Sequence, residues 1–287
     1  MGRFRKMLVA FDGSDSAKNA LKEACHFAAT EKADVVLLVV VPPYEGDLDL
    51  IAISDVKDKL ESLGGRLLEE GEQVARAQKV EIMKIIEYGE PYEKIVSVAE
   101  EEGCDLIVMG RKGLSSVERE LVGSVTARVI GHTQKDVLVI PEGAKLSWNS
   151  ILIATDNSPN SQCAVQIAFD LAQEQSSAVA AVTVVYGGTD FFAVSHQLIA
   201  EMKEEAKRQL EKLQAEATSK GLDLLLMVKE GEPHEGIINA AKEFNAGVIV
   251  MGSHGRTGLK RLLMGSITEK VIGFSLCPVL VCHTEGK

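Results

Sequence analysis

The same glycine framework occurs twice in one chain. MGRKGLSSVERELVGSVTARVIG begins at Met109 and MGSHGRTGLKRLLMGSITEKVIG begins at Met251; each reads Met-Gly-x-x-Gly, nine variable residues, Gly-Ser, a short amphipathic run and Val-Ile-Gly. The likeness spreads well beyond the glycines. KMLVAFDGSDS from Lys6 answers SILIATDNSPNS from Ser150, and DVLVIP from Asp136 matches PVLVCH from Pro278. GEPYEKIVSVAEEEGCDLIVMGRKG from Gly89 aligns without gaps on GEPHEGIINAAKEFNAGVIVMGSHG from Gly231. Self-similarity at one long period means that whatever one half folds into, the other folds into as well. The chain is a duplication, with domains expected at residues 1–143 and 148–287 and a short linker, EGAKLSWN, over Glu142–Asn149. At 287 residues, each copy is long enough to bury its own core.

Within the first copy, Met7–Phe11 and Val35–Val41 are short apolar runs, the pattern of strands covered on both faces. Ser14 or Ser16 can cap a helix that carries Ala17, Ala20, Leu21 and Ala24 on one side. Pro42 and Pro43 stop the second strand. A helix over Val56–Ala77, a strand near Val80–Ile86 and a helix opened by Pro91 follow. A strand at Leu106–Met109, a helix at Ser124–Ile130 and a strand at Val137–Ile140 complete the copy. Strands alternating with helices imply a parallel sheet with right-handed crossovers, so each half is a doubly wound α/β domain.

Charge narrows the function. A net charge of −11 argues against a general affinity for DNA or RNA, which needs a basic face, and against anionic membranes. Apolar content of 46% beside 25% charged residues is that of a soluble globular protein. No apolar run approaches the roughly 18–20 residues of a membrane helix. The N-terminal apolar stretch ends at Asp12, too short for a signal peptide, and Lys6 stands where a myristoylation signal wants Ser or Thr. Five cysteines, Cys25, Cys104, Cys163, Cys277 and Cys282, form no C-x-x-C pair; buried thiols in a reducing cytoplasm are expected.

In a doubly wound sheet, ligands bind beyond the carboxyl ends of the strands, where strand order reverses. Gly110 and Gly252 follow directly on a strand, and a missing side chain there permits positive φ or lets a ligand touch the backbone. Gly113 and Gly255 would keep the loop open, with main-chain N–H groups toward an anion. Gly123-Ser124 and Gly265-Ser266 fall at a helix start, whose unpaired N–H groups and dipole favour phosphate. The alternative is that these glycines are turn punctuation. There is no G-x-x-x-x-G-K-[ST] and no G-x-G-x-x-G after the first strand, so neither a P-loop nor the usual dinucleotide fold applies.

Together with VAFDGS and IATDNS at the start of each copy, and VLVI and VLVC at its end, this framework resembles the G-2x-G-9x-G-[ST] signature of the universal stress protein family. The resemblance covers nearly the whole chain, twice. It implies two tandem Rossmann-like domains, each a five-stranded parallel sheet of order 3-2-1-4-5. It also implies adenine-nucleotide sites for ATP, ADP or AMP, with Mg2+ as the companion of ATP. In the first half, Ala10, Asp12, Val40 and Met109 would hold adenosine, and Gly110, Gly113, Gly123, Ser124 and Val125 its ribose and phosphates. The matching second-half positions are Ala154, Asp156, Val184 and Met251, then Gly252, Gly255, Gly265, Ser266 and Ile267.

An ionised Asp only accepts hydrogen bonds, so it suits the amino edge of adenine. The alternative for Asp12 and Asp156 is an Asx turn or helix cap, and for Met109 and Met251 a core position closing the fourth strand. The family further implies that the last strands, Val137–Ile140 and Val279–Cys282, pair antiparallel as a pseudo-dimer within one chain, with further homodimerisation open.

No Walker Asp pair and no Ser–His–acid arrangement is present, so a nucleotide-dependent sensor or regulator is expected, with at most slow ATP hydrolysis. FDGSDS is loosely like the S-G-G-x-D-S loop of ATP pyrophosphatases, which makes that enzyme class one alternative. A scaffold that binds no nucleotide is another. The second insert, RTGLKRLLM, carries Arg256, Lys260 and Arg261 and no acid, whereas LSSVERELV sets Glu118 and Glu120 beside Arg119, although Arg111 and Lys112 come just before it. On that ground the second half is expected to bind ATP more tightly. His254 lies between two framework glycines, within reach of a phosphate or simply solvated.

Overall fold

Unbroken apolar runs become buried parallel strands, and amphipathic segments become the helices that cover them. The computed structural model describes residues 2–43, 56–114, 121–186, 196–255 and 264–284. The chain divides into two units, Arg3–Gly143 and Ala144–Lys287.

In the first unit the elements run β1 (Lys6–Ala10), α1 (Asp15–Glu31), β2 (Asp34–Val41), α2 (Val56–Ala77) and β3 (Ile82–Tyr88). α3 (Pro91–Glu101), β4 (Leu106–Gly110), α4 (Ser124–His132) and β5 (Asp136–Ile140) follow. The strand order is β3-β2-β1-β4-β5, every pair parallel. Strand β1 is the pivot: Leu8 sits opposite Val36 on one side and Ile107 on the other. Leu8, Val36, Leu37, Ile107 and Leu138 form the centre of the core and are at most 1% exposed.

The second unit repeats the scheme as β6 (Ser150–Ala154), α5 (Pro159–Gln175), β7 (Ala178–Val185), α6 (His196–Ser219) and β8 (Leu224–Glu230). It closes with α7 (Pro233–Phe244), β9 (Val248–Gly252), α8 (Ser266–Phe274) and β10 (Val279–Cys282). Its order, β10-β9-β6-β7-β8, is the same 3-2-1-4-5 arrangement, again all parallel. Both units are therefore the doubly wound fold expected from the alternation of elements.

Local chemistry sets the helix ends. Ser14, rather than Ser16, caps α1 by accepting from the Ala17 N–H at 3.2 Å, and Ser158 caps α5 by accepting from Ser161 N–H at 3.3 Å. Pro91 and Pro233 sit in the first turn of α3 and α7, where a missing N–H costs nothing. Strand β3 starts two residues later than the apolar pattern suggests. Lys79 turns left-handed at φ 60°, and the Val80 N–H still bonds back to Ala75 O at 3.2 Å, so the strand begins only at Ile82.

No helix among the described residues is long and apolar enough to cross a membrane. None of the five cysteines is in a disulfide, and Cys25, Cys104 and Cys282 are buried.

Candidate functional site

Strands β1 and β4 lie side by side, but the chain leaves their carboxyl ends toward opposite faces of the sheet. That divergence opens a cavity of about 330 Å³ in the first unit. All nine first-half positions expected to hold a ligand line it: Ala10, Asp12, Val40, Met109, Gly110, Gly113, Gly123, Ser124 and Val125.

Asp12 stands in the first turn after β1 and is pinned from both sides. Its Oδ1 accepts from the Ser14 N–H at 3.0 Å and from the Ser14 hydroxyl at 2.6 Å; its Oδ2 accepts from the Leu114 N–H at 3.0 Å. The Asx-turn alternative thus holds, and it does so while the carboxylate faces the cavity. Gly13 takes the left-handed conformation at φ 81° that closes this turn. The second unit repeats it: Ser158 N–H donates to Asp156 Oδ1 at 3.0 Å, and Asn157 is left-handed at φ 62°. Asparagine is among the few side chains that tolerate that conformation.

The framework glycines serve needs other than positive φ, which none of the six adopts. A Cβ on Gly110 would lie 2.7 Å from Ser16 Oγ, 2.8 Å from Ser16 C and 2.9 Å from Ala17 N, so helix α1 presses directly on the strand end. Gly252 is in the same position against Asn160, with the nearest backbone atom at 2.8 Å. Gly110 and Gly252 thus do not use the positive φ a glycine permits; each admits the first turn of a helix, and Gly110 also lines the cavity. Gly113 and Gly255 make room for the Asp12 and Asp156 carboxylates, 2.5 and 2.8 Å from where a Cβ would sit.

The third glycine begins a helix. Gly123 is the N-cap of α4, has no side-chain cap, and spends its own N–H on Arg111 O at 2.9 Å. The first intrahelical bond is Ala127 N to Gly123 O at 3.0 Å, which leaves the Ser124, Val125 and Thr126 N–H groups pointing out of the helix start. Helix α8 begins alike, with Gly265 N bonded to Ser253 O at 3.0 Å and Glu269 N to Gly265 O at 2.9 Å. Each helix start is a patch of partial positive charge of the kind that binds anions.

A family model, the Universal stress protein family, matches residues 3–141 and again 147–283. The chain belongs to the universal stress protein family. The Bacillus subtilis (strain 168) universal stress protein YxiE is 34% identical over 145 residues, 47% of this chain and 98% of the relative. Universal stress protein MJ0531 of Methanocaldococcus jannaschii is 37% identical over 154 residues, 52% of this chain and 89% of the relative. Among solved structures, a universal stress protein from Archaeoglobus fulgidus DSM 4304 superposes with a TM-score of 0.74 at 23% identity, covering 97% of this chain and 98% of its own. That likeness shows that the tandem fold is shared along the full chain.

In this universal stress protein, the second-half positions occupy the same places in their own unit. Ala154 pairs with Met251 across β6 and β9, Gly252 pairs with Cys282, and Val184 lies half-buried near the end of β7. Ser266 and Ile267 are exposed in the first turn of α8. Met109 and Met251 are each 5% exposed, so both are core residues, and Met109 is a cavity wall at the same time.

Several lining residues were not singled out in the sequence. Thr126 donates to Gly110 O at 3.1 Å, and Thr268 to Gly252 O at 3.1 Å, each tying a helix start to a strand end across the loop. The shared GSVT and GSIT were the signal. Lys112 lines the cavity, while half-buried Arg111 does not; burial pulls the Arg111 guanidinium pKa below its usual value, against the pull of nearby Glu142. From α2 come Leu63 and Leu67, far away in sequence. His254 places Nδ1 3.3 Å from Ser253 Oγ. Glu118, Arg119, Glu120, Arg256, Lys260 and Arg261 lie outside the described residues.

Proposed function

We propose that this family member is a stress-response protein that binds adenine nucleotides, ATP, ADP or AMP, beyond the carboxyl ends of β1 and β4 and at the matching positions of the second unit. Occupancy then acts as a signal to the rest of the molecule or to a partner. One observation carries the reading: an apolar slot holding a fixed carboxylate runs into an uncapped helix start. Ala10, Val40 and Met109 supply walls for a flat ring, and Asp12 supplies an acceptor for its amino edge. Ser124, the N–H groups of the first turn of α4 and the Lys112 side chain supply donors and charge for phosphates. A cavity of about 330 Å³ is in the range of small-molecule sites.

Binding rather than catalysis is favoured by the chemistry of the walls. Asp12 is the one carboxylate among the described lining residues, and both of its oxygens already accept protein hydrogen bonds. It is poorly placed to serve as a base for water, so hydrolysis is expected to be slow. Mg2+ would arrive as the companion of the ATP phosphates.

Native mass spectrometry of the protein as purified tests the reading. An added mass equal to AMP, ADP or ATP supports it, and a bare chain whose mass also stays unchanged after incubation with ATP would overturn it. The pseudo-dimer implied by the family belongs to the same proposal. Each half expressed alone should then form a homodimer, and two monomeric halves would remove that part.

A further inference from the structure

We infer that the two nucleotide sites are unequal: leucines of α2 roof the first and tighten its hold on a nucleotide, whereas the equivalent positions of the second unit are polar. This rests on the nucleotide reading above. Leu63 and Leu67 of α2 line the first cavity, and Leu63 is still 43% exposed, a surface that a bound base would cover.

Three glycines let α2 come down this far. A Cβ on Gly13 would lie 2.6 Å from Leu67 Cδ2, one on Gly64 3.0 Å from Val41 Cγ2, and one on Gly71 2.5 Å from Leu37 Cδ2. Each glycine thus yields its side-chain volume to a leucine or valine across the helix–sheet interface.

The second unit has a side chain at each equivalent place. Val35 pairs with Ile82 and Val179 with Leu224, and the fully buried Ala75 and Ala217 fall at the same distance before those strands. In this register Asn157 replaces Gly13, Ala206 replaces Gly64 and Leu213 replaces Gly71. The Asn157 side chain is held in place, its Oδ1 accepting from Gln162 Nε2 at 3.1 Å.

The roof residues change character as well. Leu63 and Leu67 become Glu205 and Gln209. With Asn157 and Pro159 these two line an open groove of about 670 Å³ between α5 and α6. Glu205 is paired with Arg208 at 2.9 Å and remains solvated, so this position offers no apolar surface. Leucines laid over a purine remove apolar area from water; a hydrated carboxylate near an anionic ligand does not. The order is the reverse of the one expected from the charged inserts.

Calorimetric titration of the full chain with ATP tests this. Two classes of site, roughly tenfold or more apart in affinity, are expected, a gap that about 55 Å² of extra apolar burial would produce. Gly123→Asp should remove the tight class and Gly265→Asp the weak one. Leu67→Gln, at a half-exposed position that tolerates the change, should bring the tight class down toward the weak one. Gln209→Leu should leave the tight class unchanged. Two equal classes in the unaltered chain, or loss of the tight class on Gly265→Asp, would overturn the inference while leaving the nucleotide reading intact. Absence of binding in both halves would instead remove the nucleotide reading, and this inference with it.

Discussion

The Asp12 carboxylate fills the space that a side chain on Gly113 would need, with Oδ2 only 2.5 Å from the position of that missing Cβ. Asp156 and Gly255 repeat the relationship at 2.8 Å. Two residues about a hundred positions apart in sequence thus form one device, in which the loop after β4 clamps the acceptor that follows β1.

Gly113→Ala should separate binding from folding. The displaced atom is the end of a side chain, so Asp12 can turn aside, losing its bond from Leu114 N–H at a cost of about 1 kcal/mol. A small fall in melting temperature with roughly tenfold weaker ATP binding at the first site is expected, because the acceptor has moved. Thermal melts beside calorimetry give both numbers.

Gly110→Ala and Gly65→Ala should have opposite signs. At Gly110 the new methyl meets the backbone of α1, at 2.8 Å from Ser16 C and 2.9 Å from Ala17 N, so the helix must shift; about 1–3 kcal/mol of stability is lost. Gly65 lies inside α2 with nothing within 4 Å of an added Cβ, and alanine there should raise stability by about 0.5–1 kcal/mol. Urea denaturation of both variants decides the signs.

Thr126→Val should loosen the junction between β4 and α4. The lost hydrogen bond leaves Gly110 O without that donor, which costs about 1–2 kcal/mol. Hydrogen exchange in the first turn of α4 should rise, while Thr268→Val should produce the same effect in α8 only.

How much of this was legible in the sequence follows the range of the forces involved. The buried run of β2, the prolines opening α3 and α7, and the framework glycines at strand end and helix start are local signals that place the elements, while the family resemblance supplied Ala10, Asp12, Val40, Met109 and Val125 among the nine cavity residues. Tertiary packing decided the rest. That Gly110 makes way for a helix depends on where α1 lands, and that Gly123 gives its own N–H to Arg111 depends on loop closure. The roof from Leu63 and Leu67 depends on glycines spread over a turn and one distant helix, a pattern no window of sequence reveals.

Alkaline pH should destabilise the chain through its buried thiols. Burial pushes Cys25 and Cys104 from 9.0 up to about 11. Between those values the unfolded chain has released protons that the folded chain keeps, so stability is full below about pH 9 and falls as pH rises toward about 11. The loss is on the order of 2–3 kcal/mol per thiol. Denaturation midpoints between about pH 8 and about pH 11 should show this fall, with a shallower slope in Cys25→Ala.

The most direct measurement is calorimetric titration of the intact chain with ATP, with GTP in parallel and with Asp12→Ala as the control. Saturable heat with ATP, far weaker binding of GTP, whose ring carries a carbonyl where adenine has its amino group, and loss of one binding class in the Asp12 variant are expected. No heat with ATP, ADP or AMP, or equal affinity for GTP, would contradict an adenine site formed by Asp12 and the start of α4.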